Sequence, residues 1–330
     1  MTMSGDSVSS EAEGVRVTAQ DLLQADPGRL RLAVVAGGNG EDIAIEDTIM
    51  NRPGLALTGF WEDFAPRRVQ LIGNAERAYL ASLPPDTRAA RFGALFEHGA
   101  RICIFTNGHA PSEAEIAQAR RHGGVLLATP LLTRDFARDA TFILEELAAP
   151  RIALYGTMVE VRGLGVLLEG APGLGKSETA LGLIKRGCAL VADDLTCLRK
   201  DMATNMIFGS ASASTAHYME IRGIGIIHVP SMFGVDAVRG EKRLHLVITF
   251  RHLDEIRDEV DRTGQTRLTR NILGVEIPNA VIPVSEGRDL VNLVETAAQQ
   301  RKLIDEGHDS VEQLSQRLKR RADRRRAEIE

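Results

Sequence analysis

Gly165-Val-Leu-Leu-Glu-Gly170-Ala-Pro-Gly-Leu-Gly175-Lys176-Ser177-Glu-Thr-Ala-Leu-Gly-Leu-Ile-Lys-Arg186-Gly187 is the stretch on which the reading of this chain turns. Residues 170–177 match Gly-x-x-x-x-Gly-Lys-[Ser/Thr] in full. The apolar run before them predicts a strand, and the run after them predicts a helix that Gly187 stops. Glycines let backbone N–H groups close around phosphate oxygens with no Cβ in the way. A helix start adds partial positive charge at the same place. Lys176 can reach the β- and γ-phosphates, and Ser177 can offer its hydroxyl to Mg²⁺. Gly170, Ala171, Pro172, Gly173, Leu174, Gly175, Lys176 and Ser177 are therefore the candidate nucleotide-binding residues.

Four further clusters follow downstream. Ala189-Leu-Val-Ala-Asp193-Asp194 ends an apolar strand in two acids. Beside a triphosphate one could hold Mg²⁺ and the other take a hydroxyl proton; a solvated strand end is an equal reading. In Glu220-Ile-Arg222, the acid could be a metal ligand and the arginine an anion binder, or the two could form a surface pair. His217 and His228 lack metal-ligand spacing and read as structural. Arg262, ahead of a glycine turn, could stabilise charge on a transferring phosphoryl group, or belong to a charged loop with no role. Arg288 stands at the start of a helix, where the dipole favours anions, a placement that suits a bound phosphate.

Working outward, residues 1–14 have little apolar surface and are expected to be disordered. Residues 15–150 alternate strands at 30–37, 68–73, 100–106 and 124–129 with helices at 75–83, 112–123 and 133–149, which predicts an α/β domain with a mainly parallel sheet. Ser112 is the expected N-cap of the second helix. Pro150 ends the third, so a second domain is placed over 151–330, opening with a strand, a turn and another strand. Residues 288–307 and those after the next glycine predict two C-terminal helices, with Leu290, Leu293, Val294 and Ala297 as a buried stripe. The basic run Arg317–Arg326 fits a solvated helix end better than a docking site.

The formal net charge of −5 makes no global case for nucleic acid or an anionic membrane as partner. No apolar run is long enough for a membrane span, and the acidic, Ser-rich start lacks a signal-peptide pattern, so a cytoplasmic location is expected. Cys103, Cys188 and Cys197 fit neither a disulfide framework nor a metal site and read as buried thiols.

In order and spacing these motifs resemble the HPr kinase/phosphorylase family over nearly the whole chain, including Pro53–Gly73 in the first domain. The segments Gly175–Asp194 and Met219–Val229 carry most of that resemblance. It implies an α/β fold: an N-terminal α/β domain and a P-loop kinase domain similar to phosphoenolpyruvate carboxykinase. It implies phosphorylation of a serine in the phosphocarrier protein HPr by ATP or pyrophosphate with Mg²⁺, reversal by inorganic phosphate, and a homohexamer. By matching motif, Lys176 would be catalytic, and Ser177 and Glu220 Mg²⁺ ligands. Asp194, with Asp193 beside it, would be the proton acceptor and donor, and Arg262 the active arginine. Met219–His228 would serve both directions, and Pro283–Arg288 the dephosphorylation.

Three positions depart from the family pattern. Tyr155 stands where an active-site histidine is usual, Ser285-Glu286 where Arg-Pro is usual, and His228 where asparagine is usual. A phenol of pKa near ~10 cannot carry an imidazole's proton traffic near neutral pH. The expectation is a Mg²⁺-dependent serine kinase with weakened phosphorylase activity. The rivals are a nucleotide-binding regulatory protein without turnover and a kinase of another protein or small molecule.

Overall fold

The computed structural model describes residues 16–38, 40–256 and 267–327. The N-terminal stretch 1–14 and Arg262 lie outside the described residues. The chain divides into two compact units, one ending at Ala149 and the other beginning at Pro150.

The first unit runs α1 (Ala19–Ala25), α2 (Pro27–Leu30), β1 (Ala33–Ala36), α3 (Gly54–Thr58), β2 (Gln70–Ile72), α4 (Asn74–Ser82), α5 (Pro85–Glu97), β3 (Ile102–Phe105), α6 (Glu113–Arg121), β4 (Val125–Ala128) and α7 (Thr133–Ala148). Its sheet has the order β1-β4-β3-β2, with β2, β3 and β4 parallel and β1 antiparallel. Every residue of Ile102-Cys-Ile-Phe105 is buried, because a parallel sheet is covered on both faces. Ile102 and Ile104 join Phe136 and Leu144 of α7 in one core cluster, while Cys103 and Phe105 join Phe92 and Leu95 of α5 in another. Ser112 caps α6 in a reciprocal capping box with Glu115, as its sequence position predicts. The helix α5 was not legible from the sequence: its apolar residues Phe92, Leu95 and Phe96 occupy only its last turns.

The second unit runs β5 (Arg151–Tyr155), β6 (Thr157–Val161), β7 (Leu164–Gly170), α8 (Lys176–Lys185), β8 (Ala189–Ala192), β9 (Leu195–Asp201), β10 (Met206–Ser210), β11 (Tyr218–Ile221), β12 (Gly225–His228), α9 (Val229–Phe233), β13 (Glu241–His252), β14 (Leu268–Ile272), β15 (Val275–Val284), α10 (Leu290–Asp305) and α11 (Ser310–Ala327). The opening is three strands rather than the expected two, since the single residue Gly156 separates β5 from β6. A one-residue break leaves no mark on an apolar pattern. In β7, Val166 and Leu168 face the cluster containing Ala180, Leu183 and Val294, and Leu167 faces the cluster containing Met158, Val191 and Val247. Both faces of the central strands are thus buried. In α10, Val294 and Ala298 are fully buried and Leu290, Leu293 and Ala297 pack partly buried against the same cluster.

Among the described residues no helix is long and apolar enough to cross a membrane. All three cysteines are free; Cys103 and Cys188 are buried and Cys197 is only partly so. Burial pushes the Cys103 thiol far up from its ordinary range, so it is inert as a nucleophile.

Candidate active site

The loop 170–177 springs from the carboxyl end of β7 and enters α8. Gly170 has φ +143, and a Cβ there would lie 2.6 Å from the carbonyl oxygen of Phe250 on the neighbouring strand. Gly175 caps α8 at φ +82, the left-handed turn that aims the first helical N–H groups into the loop. Within the loop, Lys176 Nζ donates to the carbonyls of Gly170 at 2.8 Å and Ala171 at 3.2 Å. Burial pushes the Lys176 ammonium below its ordinary pKa, Asp194 and Asp193 pull it back up, and Arg222 adds to the depression. Those three residues therefore share the electrostatic neighbourhood of the loop.

Sheet direction explains the convergence. β7 runs parallel to β13, and β13 runs parallel to β15. β6 is antiparallel to both β7 and β8, so β8 also runs with β7. Their carboxyl ends deliver the loop, Asp193-Asp194 and Ser285–Arg288 to one edge of the sheet. That edge is where open α/β sheets bind ligands.

The two aspartates occupy different environments. Asp193 is 8% exposed and accepts three hydrogen bonds. Thr157 Oγ1 and Ser177 Oγ both donate to its Oδ1 at 2.9 Å, and the backbone N–H of Glu220 donates to its Oδ2 at 3.1 Å. Asp194 is exposed and left-handed, at φ +64, and its carbonyl accepts from Gly156 N at 2.8 Å. One carboxylate is thus a buried tie-point and the other projects where a reactant can reach it. Thr157 is the functional candidate that sequence reading missed; a hydroxyl between Gly156 and an apolar strand was the available signal.

Glu220 is exposed on β11, in the β11–β12 hairpin, and its N–H bond to Asp193 ties that hairpin to the loop. Arg222 Nη1 comes within 3.5 Å of where a Cβ on Gly173 would sit. Among the described residues Glu220 and Arg222 make no ion pair with each other or elsewhere. Tyr155 is 76% exposed and pairs with Leu195, next to Asp194. Arg288 is exposed and precedes the helix rather than starting it: Asp289 is the N-cap of α10, with its side chain accepting from Asn292 N. His228 Nδ1 shares a 2.7 Å hydrogen bond with Ser231 Oγ. Arg262 lies outside the described residues.

A glycine-rich loop at the carboxyl edge of a mixed sheet, with acidic and basic side chains around it, is the arrangement in which open α/β proteins bind ligands. Comparison with known proteins narrows the class. Residues 17–144 match the family model "HPr Serine kinase N terminus", and residues 146–318 match "HPr Serine kinase C-terminal domain". The HPr kinase/phosphorylase of Leptospira biflexa is 38% identical over 303 residues, 92% of this chain and 94% of the relative. That of Geobacter sulfurreducens is 37% identical over 304 residues, covering 92% and 95%, and that of Caldicellulosiruptor bescii 40% over 285 residues, covering 86% and 91%. A solved structure described as the Hpr(Ser) kinase/phosphatase from Coxiella burnetii is 34% identical, covers 49% of this chain and 98% of its own, and has a TM-score of 0.45. The chain belongs to the HPr serine kinase family, a family of serine kinase/phosphorylase enzymes that use ATP.

Proposed function

We propose that this chain transfers a phosphoryl group from ATP, or from pyrophosphate, to a serine of the phosphocarrier protein HPr, with Mg²⁺, in the cytoplasm, as a regulator of carbon metabolism. The observation that carries this reading is the meeting of a complete phosphate loop with an exposed carboxylate, Asp194, and a separate buried one, Asp193, at one sheet edge. Names of relatives 37–40% identical over most of their length support the substrate.

In this mechanism the N–H groups of 170–177 and Lys176 hold the β- and γ-phosphates, and Lys176 exchanges its carbonyl partners for phosphate oxygens. Asp194 takes the proton of the substrate serine as it attacks, and returns it in the reverse reaction. Arg222 and Arg288 supply positive charge to the phosphates, and Arg262 to the transferring group. Tyr155, exposed beside Asp194, can hydrogen-bond at the mouth. Ser177 and Glu220 fit a hard cation, which takes oxygen donors and leaves its remaining positions to water and phosphate. Magnesium, when bound, would neutralise charge on the phosphates.

By the same reading the second unit is a kinase domain of the phosphoenolpyruvate carboxykinase type. Support comes from its sheet, where the loop strand β7 has an antiparallel neighbour, β6, on one side and a parallel one, β13, on the other. A homohexamer is the assembly the resemblance implies. The test is transfer of radiolabelled phosphate from ATP to purified HPr and to an HPr whose target serine is replaced. Label on the first alone supports the reading, and label on neither defeats it.

A further inference from the structure

Thr157 has no exposed surface and lies at the start of β6, between the strand that carries the phosphate loop and the strand that ends in the two aspartates. It pairs with Leu168 of β7, and its neighbour Met158 pairs with Ala192 of β8. Apolar side chains fill that interior, where Val would serve for packing as well as Thr. A buried hydroxyl must find a partner, and here the partner is a carboxylate.

The geometry points to Thr157 as a positioning residue for the metal-binding hydroxyl of Ser177, acting through Asp193; this rests on the nucleotide reading above. Thr157 Oγ1 and Ser177 Oγ donate to the same oxygen of Asp193, each at 2.9 Å, and Glu220 N donates to the other. Three donors from three elements fix the plane of the carboxylate. With its hydrogen committed to Asp193, Ser177 Oγ keeps its lone pairs for a cation. The backbone bond from Glu220 N sets the position of the second candidate ligand through the same carboxylate. The β5–β6 turn holds the neighbouring aspartate as well: Gly156 N donates to Asp194 O at 2.8 Å, and Thr196 Oγ1 donates to Gly156 O at 2.8 Å. One turn therefore registers both acids. Removing the Thr157 hydroxyl frees the carboxylate to rotate about its remaining bonds and loosens Ser177 and Glu220 together.

The test is calorimetric titration of ADP into the full chain, with Mg²⁺ and with chelator, for wild type, Thr157→Val and Thr157→Ser. Thr157→Val should weaken Mg·ADP binding about tenfold, the usual scale for an outer-shell partner of a metal ligand, and leave metal-free ADP binding within about twofold. Thr157→Ser should restore Mg·ADP affinity. Should Thr157→Val fold poorly, Thr157→Ala set against Thr157→Ser isolates the same hydroxyl, and the difference should again appear only with Mg²⁺. Unchanged Mg·ADP affinity in Thr157→Val, equal losses with and without Mg²⁺, or a serine variant as weak as the valine one would each overturn the assignment. A wild-type chain whose ADP affinity ignores Mg²⁺ would also overturn it, whereas a wild-type chain that binds no ADP would defeat the underlying nucleotide reading.

Discussion

Two adjacent aspartates have the same chemistry in sequence and different surroundings in the fold. Asp194 is exposed at φ +64, so its carboxylate is open to a reactant, whereas Asp193 is committed to three donors. Asp194→Asn should therefore lose about 10²–10⁴-fold in turnover, the ordinary contribution of a general base, with ADP affinity near wild type. Asp193→Asn exchanges a carboxylate for an amide that cannot accept from all three donors. It should lower the melting temperature and weaken Mg·ADP binding, and steady-state kinetics beside thermal melts separates the two outcomes. The opposite pattern would reverse the roles. Lys176 offers a simpler case. Among the described residues its ammonium donates to loop carbonyls, and burial depresses its pKa, so an anionic phosphate would be a stronger partner. Lys176→Ala should reduce kcat by about 10²–10³-fold, as for loss of one preorganised donor to the developing charge. Full transfer activity in that variant would refute the loop assignment.

At the scale of elements, the carboxyl edge of the sheet gathers the loops that follow β7, β8 and β15, three strands running the same way. The loop after β15 carries Ser285 and Glu286 where the resemblance implies arginine and proline. Inorganic phosphate approaching phosphoserine brings two anionic groups together, so on the proposed reading a carboxylate there would oppose the reverse reaction. Residues 285–288 are all exposed, and screening keeps such a charge to the small energies of surface pairs. Ser285→Arg with Glu286→Pro should raise the phosphorylase rate about fivefold and the kinase rate less, with the gain shrinking as salt rises. Parallel assays of both directions at two ionic strengths measure this. Rates that move together would show that the loop does not set direction.

For the molecule as a whole, the two units hold separate cores. Leu127 belongs to a cluster of the first and Leu168 to one of the second, and both are fully buried. A buried Leu→Ala change costs about 2–5 kcal/mol. In scanning calorimetry, Leu127→Ala should lower one transition and Leu168→Ala the other. Mg·ADP at a hundred times its Kd should raise only the second, by about 2.7 kcal/mol. A single transition moved equally by either variant would contradict independent units.

What the sequence alone determined is whatever lies within a short contiguous window. The strand–loop–helix around residues 170–177 was legible because its pattern is contiguous, and the Ser112 cap because a capping box spans four residues. The helical stripe in α10 was legible for the same reason. Tertiary structure decided the rest. Thr157, Ser177 and Glu220 reach Asp193 across 36, 16 and 27 residues, and no local periodicity encodes those distances. Strand order and register bring them together, and those depend on which apolar faces bury against which. The pair Asp193-Asp194 therefore read as one feature, and only the fold, by burying one carboxylate and exposing the other, made them two.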